Sequence, residues 1–464
     1  MLPGESPVAS DSGPRVRPRR LLKGWGRTVP TSAAVTGLID LDDVRDAVLH
    51  EPRGVLGRGL GRSYGDGAQN SGGVVVDGTT AVGITSFDPS GLVTAKAGTS
   101  LEQLMEWMVP MGFFVPVTPG TRQVTVGGAI AADIHGKNHH QAGSWCNHVE
   151  SFRLMVGSGE VLDVSLESDP DLFWATAGGM GLTGVIADAT FRMKPIETSR
   201  LVVDTDRAAD LDEVMALMVE GDADYDYSVA WIDIMTRGAA MGRSVLDRGR
   251  FARRDELPSK MAADPLGFAS NSLATLPPIA PSGLINPLTV RAFNELWFRK
   301  APAKRRDAIM SITQFFHPLD LVEEWNRVYG PKGFLQWQYV VPDEAGDVVR
   351  STLEALSAEG VPSFLAVLKR MGPGNGGHLS FPSPGWTLAF DAPVGSSELG
   401  PLLDRLDEQI VDAGGRIYLA KDSRVRAEHI PTMYPRVDEW REIRRRVDPD
   451  GHFQSDLGRR LNLI

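Results

Sequence analysis

Arg58-Gly59-Leu60-Gly61-Arg62-Ser63-Tyr64-Gly65-Asp66 follows an apolar pair, Val55-Leu56, that reads as the end of a buried strand. Gly59 and Gly61 give the chain backbone freedom and let it approach a ligand closely. Successive N–H groups at such a turn form a concavity for an anion, typically a pyrophosphate. Taken alone the pattern is equally an ordinary glycine turn. It is not the Rossmann fingerprint, because Tyr64 stands where the third glycine belongs and no clear strand–turn–helix unit surrounds it.

Two later clusters change that balance. One is Pro119-Gly120-Thr121-Arg122-Gln123-Val124-Thr125-Val126-Gly127-Gly128-Ala129-Ile130, continued by Asp133-Ile134-His135-Gly136-Lys137-Asn138-His139-His140. The other is Gly178-Gly179-Met180-Gly181-Leu182-Thr183-Gly184-Val185-Ile186. Three glycine-rich turns in one N-terminal region imply a long cofactor threaded between them.

In order and wording these segments resemble the FAD domain of the vanillyl-alcohol oxidase, or PCMH-type, flavoproteins. They are most similar to the branch of that family that oxidises decaprenylphosphoryl-β-D-ribose. The resemblance runs from about Gly24 to the C-terminus, and its specific motifs include His135–His140 and Tyr434-Pro435-Arg436-Val437-Asp438-Glu439-Trp440. It implies an α+β fold of two domains. An FAD-binding domain would comprise residues 15–199 and 416–464, and an inserted antiparallel-sheet substrate domain residues 200–415, after a disordered N-terminus over 1–14.

The activity implied is FAD-dependent oxidation of the 2′-hydroxyl of a polyprenyl-phosphate ribose to the 2′-ketone. That is the first half of an epimerisation to the arabinose donor for cell-wall arabinan, completed by a separate NADH-dependent 2′-keto reductase. The electron acceptor, quinone or oxygen, is left open. Two rivals remain: a sugar or aldonolactone oxidase with a soluble substrate, and a flavin- or polyprenyl-phosphate-binding protein without turnover.

Composition sets the outer bounds. At 464 residues the chain exceeds what one core organises. A formal net charge of -11 argues against a general nucleic-acid binder. Cys146 is the only cysteine, so no intrachain disulfide can form and the compartment stays open. Arg15–Arg20 is basic but no apolar run follows, so no signal peptide is read. No stretch approaches the ~18 apolar residues of a membrane span. A lipid substrate then implies a soluble protein in peripheral contact with the plasma membrane, on the periplasmic side by resemblance.

Hydrophobic periodicity predicts a helix after Asp40, strands at Val74–Asp77 and Leu92–Ala97, and a helix opened by a capping box with Thr99 as cap and Glu102 reaching back. Pro170–Ala177 and Leu211–Val219 read as helices, Val185–Met193 and Tyr227–Ile234 as strands. Arg248–Pro287, rich in Pro, Ser and Ala, reads either as a mobile loop over a binding site or as a surface excursion. Beyond it the order is strand Phe334–Val341, helix, strand Ser363–Lys369, strand Trp386–Asp391, helix Leu399–Val411, strand Arg416–Ala420. This βαββαβ unit predicts a four-stranded antiparallel sheet with helices on one face and the other free to roof a cofactor. Asp438–Arg446 is a charged helix that by resemblance packs back on the first domain.

Related oxidases often carry a histidine, covalently bonded to the flavin, where this chain has Arg62. A guanidinium forms no such bond, so a non-covalent FAD is expected, with Cys146 buried and inert. By resemblance, Gly57, Arg58, Gly59, Leu60, Gly61, Arg62, Ser63, Tyr64, Gly65, Asp66 and Gly67 bind the pyrophosphate and neighbouring parts of FAD. Gly120, Thr125, Val126, Gly127, Gly128, Ala132, Asp133, Ile134 and His135 would line the flavin, Val185 and Ile186 the adenine end, and Tyr418 the isoalloxazine.

Lys421 matches the family's essential lysine, as base or as stabiliser of reduced flavin. His135 and Tyr64 complete the catalytic candidates. Lys137 would sit near the substrate phosphate, and Trp231, Phe316, Gln336, Gln338, Lys369, Thr387 and Ala389 in the substrate pocket. Phe316 stands where a tyrosine is common, and Ala389 where well-known members have a cysteine that traps inhibitors bearing a flavin-reduced nitro group. His139 and His140 lack ligand spacing and carboxylate partners, so no metal site is read.

Overall fold

The computed structural model describes residues 17–270, 272–277 and 283–464; the expected disordered segment 1–14 lies outside them. The N-terminal half holds a four-stranded and a five-stranded sheet, beside a short pairing of Phe113–Phe114 with Lys194–Pro195. In the first, strands β1 (Arg19–Leu22), β2 (Thr31–Gly37), β3 (Val55–Arg58) and β4 (Val74–Asp77) lie in the order β1-β2-β4-β3. Here β2, β4 and β3 run parallel, as all-apolar strands such as Val74-Val75-Val76 do when both faces are covered.

The second sheet is antiparallel. Its strands are β5 (Ile84–Phe87), β6 (Leu92–Lys96), β7 (Val149–Met155), β8 (Val161–Ser165) and β9 (Val185–Arg192), in the order β5-β6-β9-β7-β8. Helix α1 (Leu41–His50) starts at Asp40, whose carboxylate accepts from the amides of Asp42 and Asp43. Helix α2 (Leu101–Met108) is capped by Ser100 with Gln103 reaching back, so the capping box sits one residue later than the expected Thr99–Glu102 pair. Helix α3 (Val126–Ala131) is capped by Thr125, whose Oγ1 accepts from the Gly128 amide at 3.2 Å.

The expected four-stranded sheet is half of a larger one. Strands β10 (Arg200–Ala208), β11 (Tyr227–Ile232), β12 (Ser244–Phe251), β13 (Lys304–Ser311), β14 (Phe334–Val341), β15 (Ala366–Met371), β16 (Gly385–Pro393) and β17 (Arg416–Ile417) form one eight-stranded antiparallel sheet. Their order is β13-β10-β12-β11-β15-β16-β14-β17. Helices α4 (Leu211–Gly221), α5 (Pro287–Lys300), α6 (Asp347–Glu359) and α7 (Leu399–Asp412) complete the pattern.

The chain therefore runs βαββαβ twice, and the two copies join through β11 and β15, where Trp231 lies opposite Val367. The order is the same when read from either edge, so the sheet has an internal two-fold arrangement. Leu211, Val214 and Met218 of α4, Leu353 and Leu356 of α6, and Leu403 and Ile410 of α7 bury one side of it in a common core.

The opening strand of the expected loop Arg248–Pro287 is β12, and its later part contains Ala274–Thr275, which pairs with Val322–Glu323. Arg416–Ile417 pairs at the edge of the large sheet, while Tyr418–Ala420, expected to continue that strand, turn away from it.

Helix α8 (Val437–Val447) brings the C-terminal segment back to the first two sheets. Trp440 Nε1 donates to Ala175 O at 2.8 Å, and Arg444 donates to Leu182 O at 3.1 Å and Phe453 O at 2.8 Å. Arg460 then reaches two carboxylates. It donates to both oxygens of Asp66 and to Asp422 Oδ2, each at 2.8 Å.

The Asp422 side chain is 1 % exposed, so removing its partner strands a buried charge. Arg460→Met is expected to cost on the order of 3 kcal/mol of stability, read as a lower urea midpoint. Arg460→Lys, which lacks the forked geometry, should recover only part of the loss.

Candidate active site

A cavity of about 540 Å³ opens between the glycine segments and the uncovered face of the large sheet. The first loop contributes Gly57, Arg58, Gly59, Leu60, Gly61, Arg62, Ser63, Tyr64 and Gly67. The second segment contributes Gly120, Thr125, Gly128, Ala132, Ile134 and Lys137; the sheet contributes Gln336, Gln338, Lys369 and Ala389; and the turn after β17 contributes Tyr418 and Lys421. These residues span most of the chain, and strand alternation explains the sheet's share: Gln338 pairs with Ala389, and Ala389 with Val367, all three on the cavity side.

The first loop is shaped for an anion and for close packing. Among the described residues the amides of Leu60, Gly61, Arg62 and Ser63 donate to no protein acceptor, the arrangement that suits a pyrophosphate. A Cβ on Gly59 would stand 2.2 Å from Thr125 Oγ1, so glycine is what allows the first and second segments to meet. A Cβ on Gly120 would meet nothing within 4 Å, because that residue borders the open cavity. The Arg62 guanidinium lies 3.8 Å from the ring centroid of Trp25 and also lines the cavity. A dinucleotide cofactor therefore finds a main-chain cradle, two arginines and a glycine-lined approach.

Three lysines converge from three separate segments. Burial lowers Lys369 to about 7, helped by the neighbouring charges of Lys421 and Lys137. Lys137 falls to about 8 for the same dominant reason; its ammonium donates to Phe315 O and lies 4.5 Å from the Phe315 ring centroid. Burial also lowers Lys421, against a smaller opposing pull from Asp391, whose own carboxyl burial pushes up. Lys421 Nζ sits 5.6 Å from the Tyr64 ring centroid, and the Tyr64 amide donates to Ala420 O at 2.9 Å.

Gln336 donates to Asp391, and Gln338 donates to His135 Nε2 and Thr387 Oγ1, both at 3.0 Å. The carbonyl oxygens of both glutamines are buried without a protein partner. Two unpaired acceptors beside a cluster of cations suit a ligand carrying hydroxyl groups and negative charge.

The other expected residues do not line this cavity. Gly65 is pressed against Asp422, whose O atom a Cβ would approach to 2.1 Å, and Asp66 is held by Arg460. The amides of Val126 and Gly127 donate to Thr99 O and Ala97 O. Asp133, at φ 37°, is a buried hub accepting from Ser144, Ser380, Asn375 and the Cys146 amide. Val185 packs under Gly57, and Ile186 pairs with Leu154.

His135 sits behind Gln338 and Tyr418, and burial drives its pKa well below the usual histidine value, so it is neutral. Trp231 donates to Phe364 O at 3.0 Å. Phe316 belongs to an aromatic cluster with Phe114 and Tyr227, at 5.2 and 4.8 Å, where a hydroxyl would have no work on the ligand. Thr387 serves as the acceptor that orients Gln338. His139 and His140 turn to the backbone, at Gly372 N and Tyr225 O, and Cys146 is buried with its thiol raised by burial.

Sequence reasoning missed the cover. Residues 319, 320 and 322–325 line the cavity together with Ser270 and Ser272, clasped by the Ala274–Thr275 pairing and by Asp320, which accepts from the Arg122 amide at 2.8 Å. Among the described residues of the expected loop, Ser270 and Ser272 take part, and the 318–325 half has no periodic signal to betray it. Asp391 was also passed over as a functional group, although its place on the cavity face was legible.

Residues 40–165 match the family model described as FAD binding domain, and residues 396–461 match that of D-arabinono-1,4-lactone oxidase. A protein of Mycolicibacterium smegmatis named decaprenylphosphoryl-beta-D-ribose oxidase is 50% identical over 450 residues, covering 96% of this chain and 97% of its own. A Streptomyces coelicolor protein named only by its genomic neighbourhood is 40% identical over 78% of this chain and its whole length. Similarity to a D-arabinono-1,4-lactone oxidase of Yarrowia lipolytica is local, 33% over 24% of this chain.

Fold and cavity are those of an FAD-dependent oxidoreductase with the two-part α+β architecture of the PCMH type. The chain belongs to the decaprenylphosphoryl-β-D-ribose oxidase family.

Two outcomes are expected at this site. Acid precipitation should leave FAD in the supernatant, because Arg62 holds the position of the histidine tether; yellow colour in the pellet would show a covalent bond. Ala389, 5 % exposed and on the cavity wall, has no thiolate to trap a nitro-reduced inhibitor. Intact-mass measurement after turnover should show no adduct on the natural chain and one on Ala389→Cys.

Proposed function

We propose that this chain oxidises the 2′-hydroxyl of decaprenylphosphoryl-β-D-ribose to the 2′-ketone, the first half of an epimerisation that a separate NADH-dependent reductase completes. The observation that carries the reading is the meeting of three lysines and two unpaired glutamine oxygens on one cavity wall. The substrate of the Mycolicibacterium smegmatis relative, as its name gives it, offers what such a wall binds: sugar hydroxyls and a phosphate. We assign the segment before β10 and the C-terminal return to cofactor binding, and the eight-stranded sheet to the substrate.

FAD, when bound, supplies the two-electron acceptor that takes the hydride from C2′. The chain's own groups do the rest. Gln336 and Gln338 accept from sugar hydroxyls, their amide nitrogens being fixed by Asp391, His135 and Thr387. Lys369 and Lys137 meet the phosphate, whose charge favours their protonated forms against the cost of burial.

Lys421 takes the hydroxyl proton. Burial disfavours charge on Lys421 and on Asp391 alike, and so favours the neutral amine that a general base requires. As an ammonium the same lysine would instead stabilise negative charge arriving on the acceptor, and pH separates the two roles.

A base must be deprotonated, so anaerobic flavin reduction should accelerate as pH rises, with its midpoint well below the 10.5 of an ordinary lysine. A rate that falls through the same range would assign the electrostatic role. Lys421→Ala should slow reduction by roughly 100- to 10,000-fold with FAD still bound, since the cofactor cradle is main chain elsewhere. Bleaching by free sugars or by aldonolactones, but not by ribosyl polyprenyl phosphate, would overturn the substrate assignment.

A further inference from the structure

Helix α5 (Pro287–Lys300) buries little of itself. Val290 and Asn294 face inward, Asn294 donating to Asp233 at 2.9 Å. The outward side carries Leu288, Leu296 and Trp297, which are 79%, 67% and 43% exposed, with Phe293 stacked on Trp297 at 6.0 Å. Positions 288, 292 and 296 repeat every four residues, so the apolar groups form one stripe along the helix. An exposed stripe of this size on a soluble surface marks an interaction site.

The charges around the stripe indicate its partner. The chain as a whole is -11, yet the helix and its continuation read Arg299-Lys300-Ala301-Pro302-Ala303-Lys304-Arg305-Arg306. Arg291, Lys300 and Lys304 are exposed and make no ion pair among the described residues. The one acidic residue of the helix, Glu295, is already held by Arg243 at 2.6 Å and by Arg299. Leucine and tryptophan flanked by free cations is the composition of a helix lying in the interface of an anionic bilayer.

The stripe also leads to the cavity. Phe293 meets Phe364 edge-to-face at 5.8 Å, and the next residue, Leu365, lines the cavity wall.

We infer that α5 is a bilayer-docking helix that seats the protein on an anionic lipid surface, with Phe293, Phe364 and Leu365 forming the apolar path from that surface to the active site. The inference rests on the proposed lipid substrate for its purpose, but its binding claim stands apart from it.

The test uses the FAD-loaded full chain and sedimentation with vesicles of phosphatidylcholine, alone or mixed with phosphatidylglycerol. The natural protein should sediment with the mixed vesicles and stay in solution with phosphatidylcholine alone. The triple variant Leu288→Ser, Leu296→Ser, Trp297→Ser should bind about tenfold more weakly or less, and Arg291→Gln, Lys300→Gln, Lys304→Gln should weaken binding at low salt.

Both variants should reduce flavin with a water-soluble, short-chain polyprenylphosphoryl ribose at the natural rate, because neither touches the cavity. Failure of the natural protein to react with that compound, with vesicle binding intact, overturns the substrate and supports the docking helix. Natural protein left in the supernatant with mixed vesicles overturns the inference, as does equal binding by both variants. So does light scattering that finds the natural chain dimeric and the serine variant monomeric, since a second copy would then cover the stripe.

Discussion

One guanidinium joins the parts of this molecule that must not drift. Arg460, at the end of the chain, holds Asp66 of the first glycine loop and Asp422 beside the active-site lysine in a single fork. The Tyr64 amide adds a direct bond from that loop to Ala420, and Gly65 lies so close to Asp422 that no side chain fits between them. Two carboxylates near one another would repel; the arginine turns that repulsion into a fixed distance between the first glycine loop and the turn that carries Lys421. Asp422 is further tied down by accepting from the amides of Arg424 and Val425, both at 2.8 Å. A reacting group placed on a turn this constrained keeps its geometry without help from a bound ligand.

The opposite wall follows a different logic. Lys137, Lys369 and Lys421 come together with Asp247 opposing the first and Asp391 the last, and each is pulled toward its neutral form by burial. Such a cluster is unfavourable in itself and becomes favourable when an anion enters. The binding free energy of a phosphate thereby offsets a cost built into the fold, and a neutral sugar gains none of this. That asymmetry disfavours the aldonolactone reading more strongly than the local C-terminal match supports it.

What the sequence revealed depended on how local the signal was. The second βαββαβ copy was legible because Val349, Leu353 and Leu356 keep helical spacing and Gln336 and Gln338 keep strand spacing. The first copy was legible only in its helix Leu211–Val219 and strand Tyr227–Ile234; β12 was not, because it reads Ser244-Val245-Leu246-Asp247-Arg248-Gly249-Arg250-Phe251 and its charges are resolved only by tertiary partners. Arg248 pairs with Asp206 across the sheet at 2.9 Å, and nothing in either strand announces the other. Asn286-Pro287, an N-cap followed by proline, was a readable start for α5 that the surrounding Pro- and Ser-rich composition obscured.

The site showed the same division. Glycines that line the cradle were readable, since close approach leaves only glycine possible. Which polar residues stand in the first layer was not, because side-chain depth depends on what packs behind. Phe316 and His135 lie near the ligand-facing residues in sequence motif but one layer back in space, where each shapes a neighbour.

His135 shows why that layer matters. Its Nε2 can accept from Gln338 only while the imidazole is neutral, and burial together with the charges of Lys369 and Lys421 keeps it so. Positive charge on Lys369, at the cavity wall, thus also favours the histidine state that orients the glutamine. Burial is the larger cause, so the neighbouring charges reinforce a neutral state that the packing around His135 already sets, and the orientation of Gln338 rests on that packing.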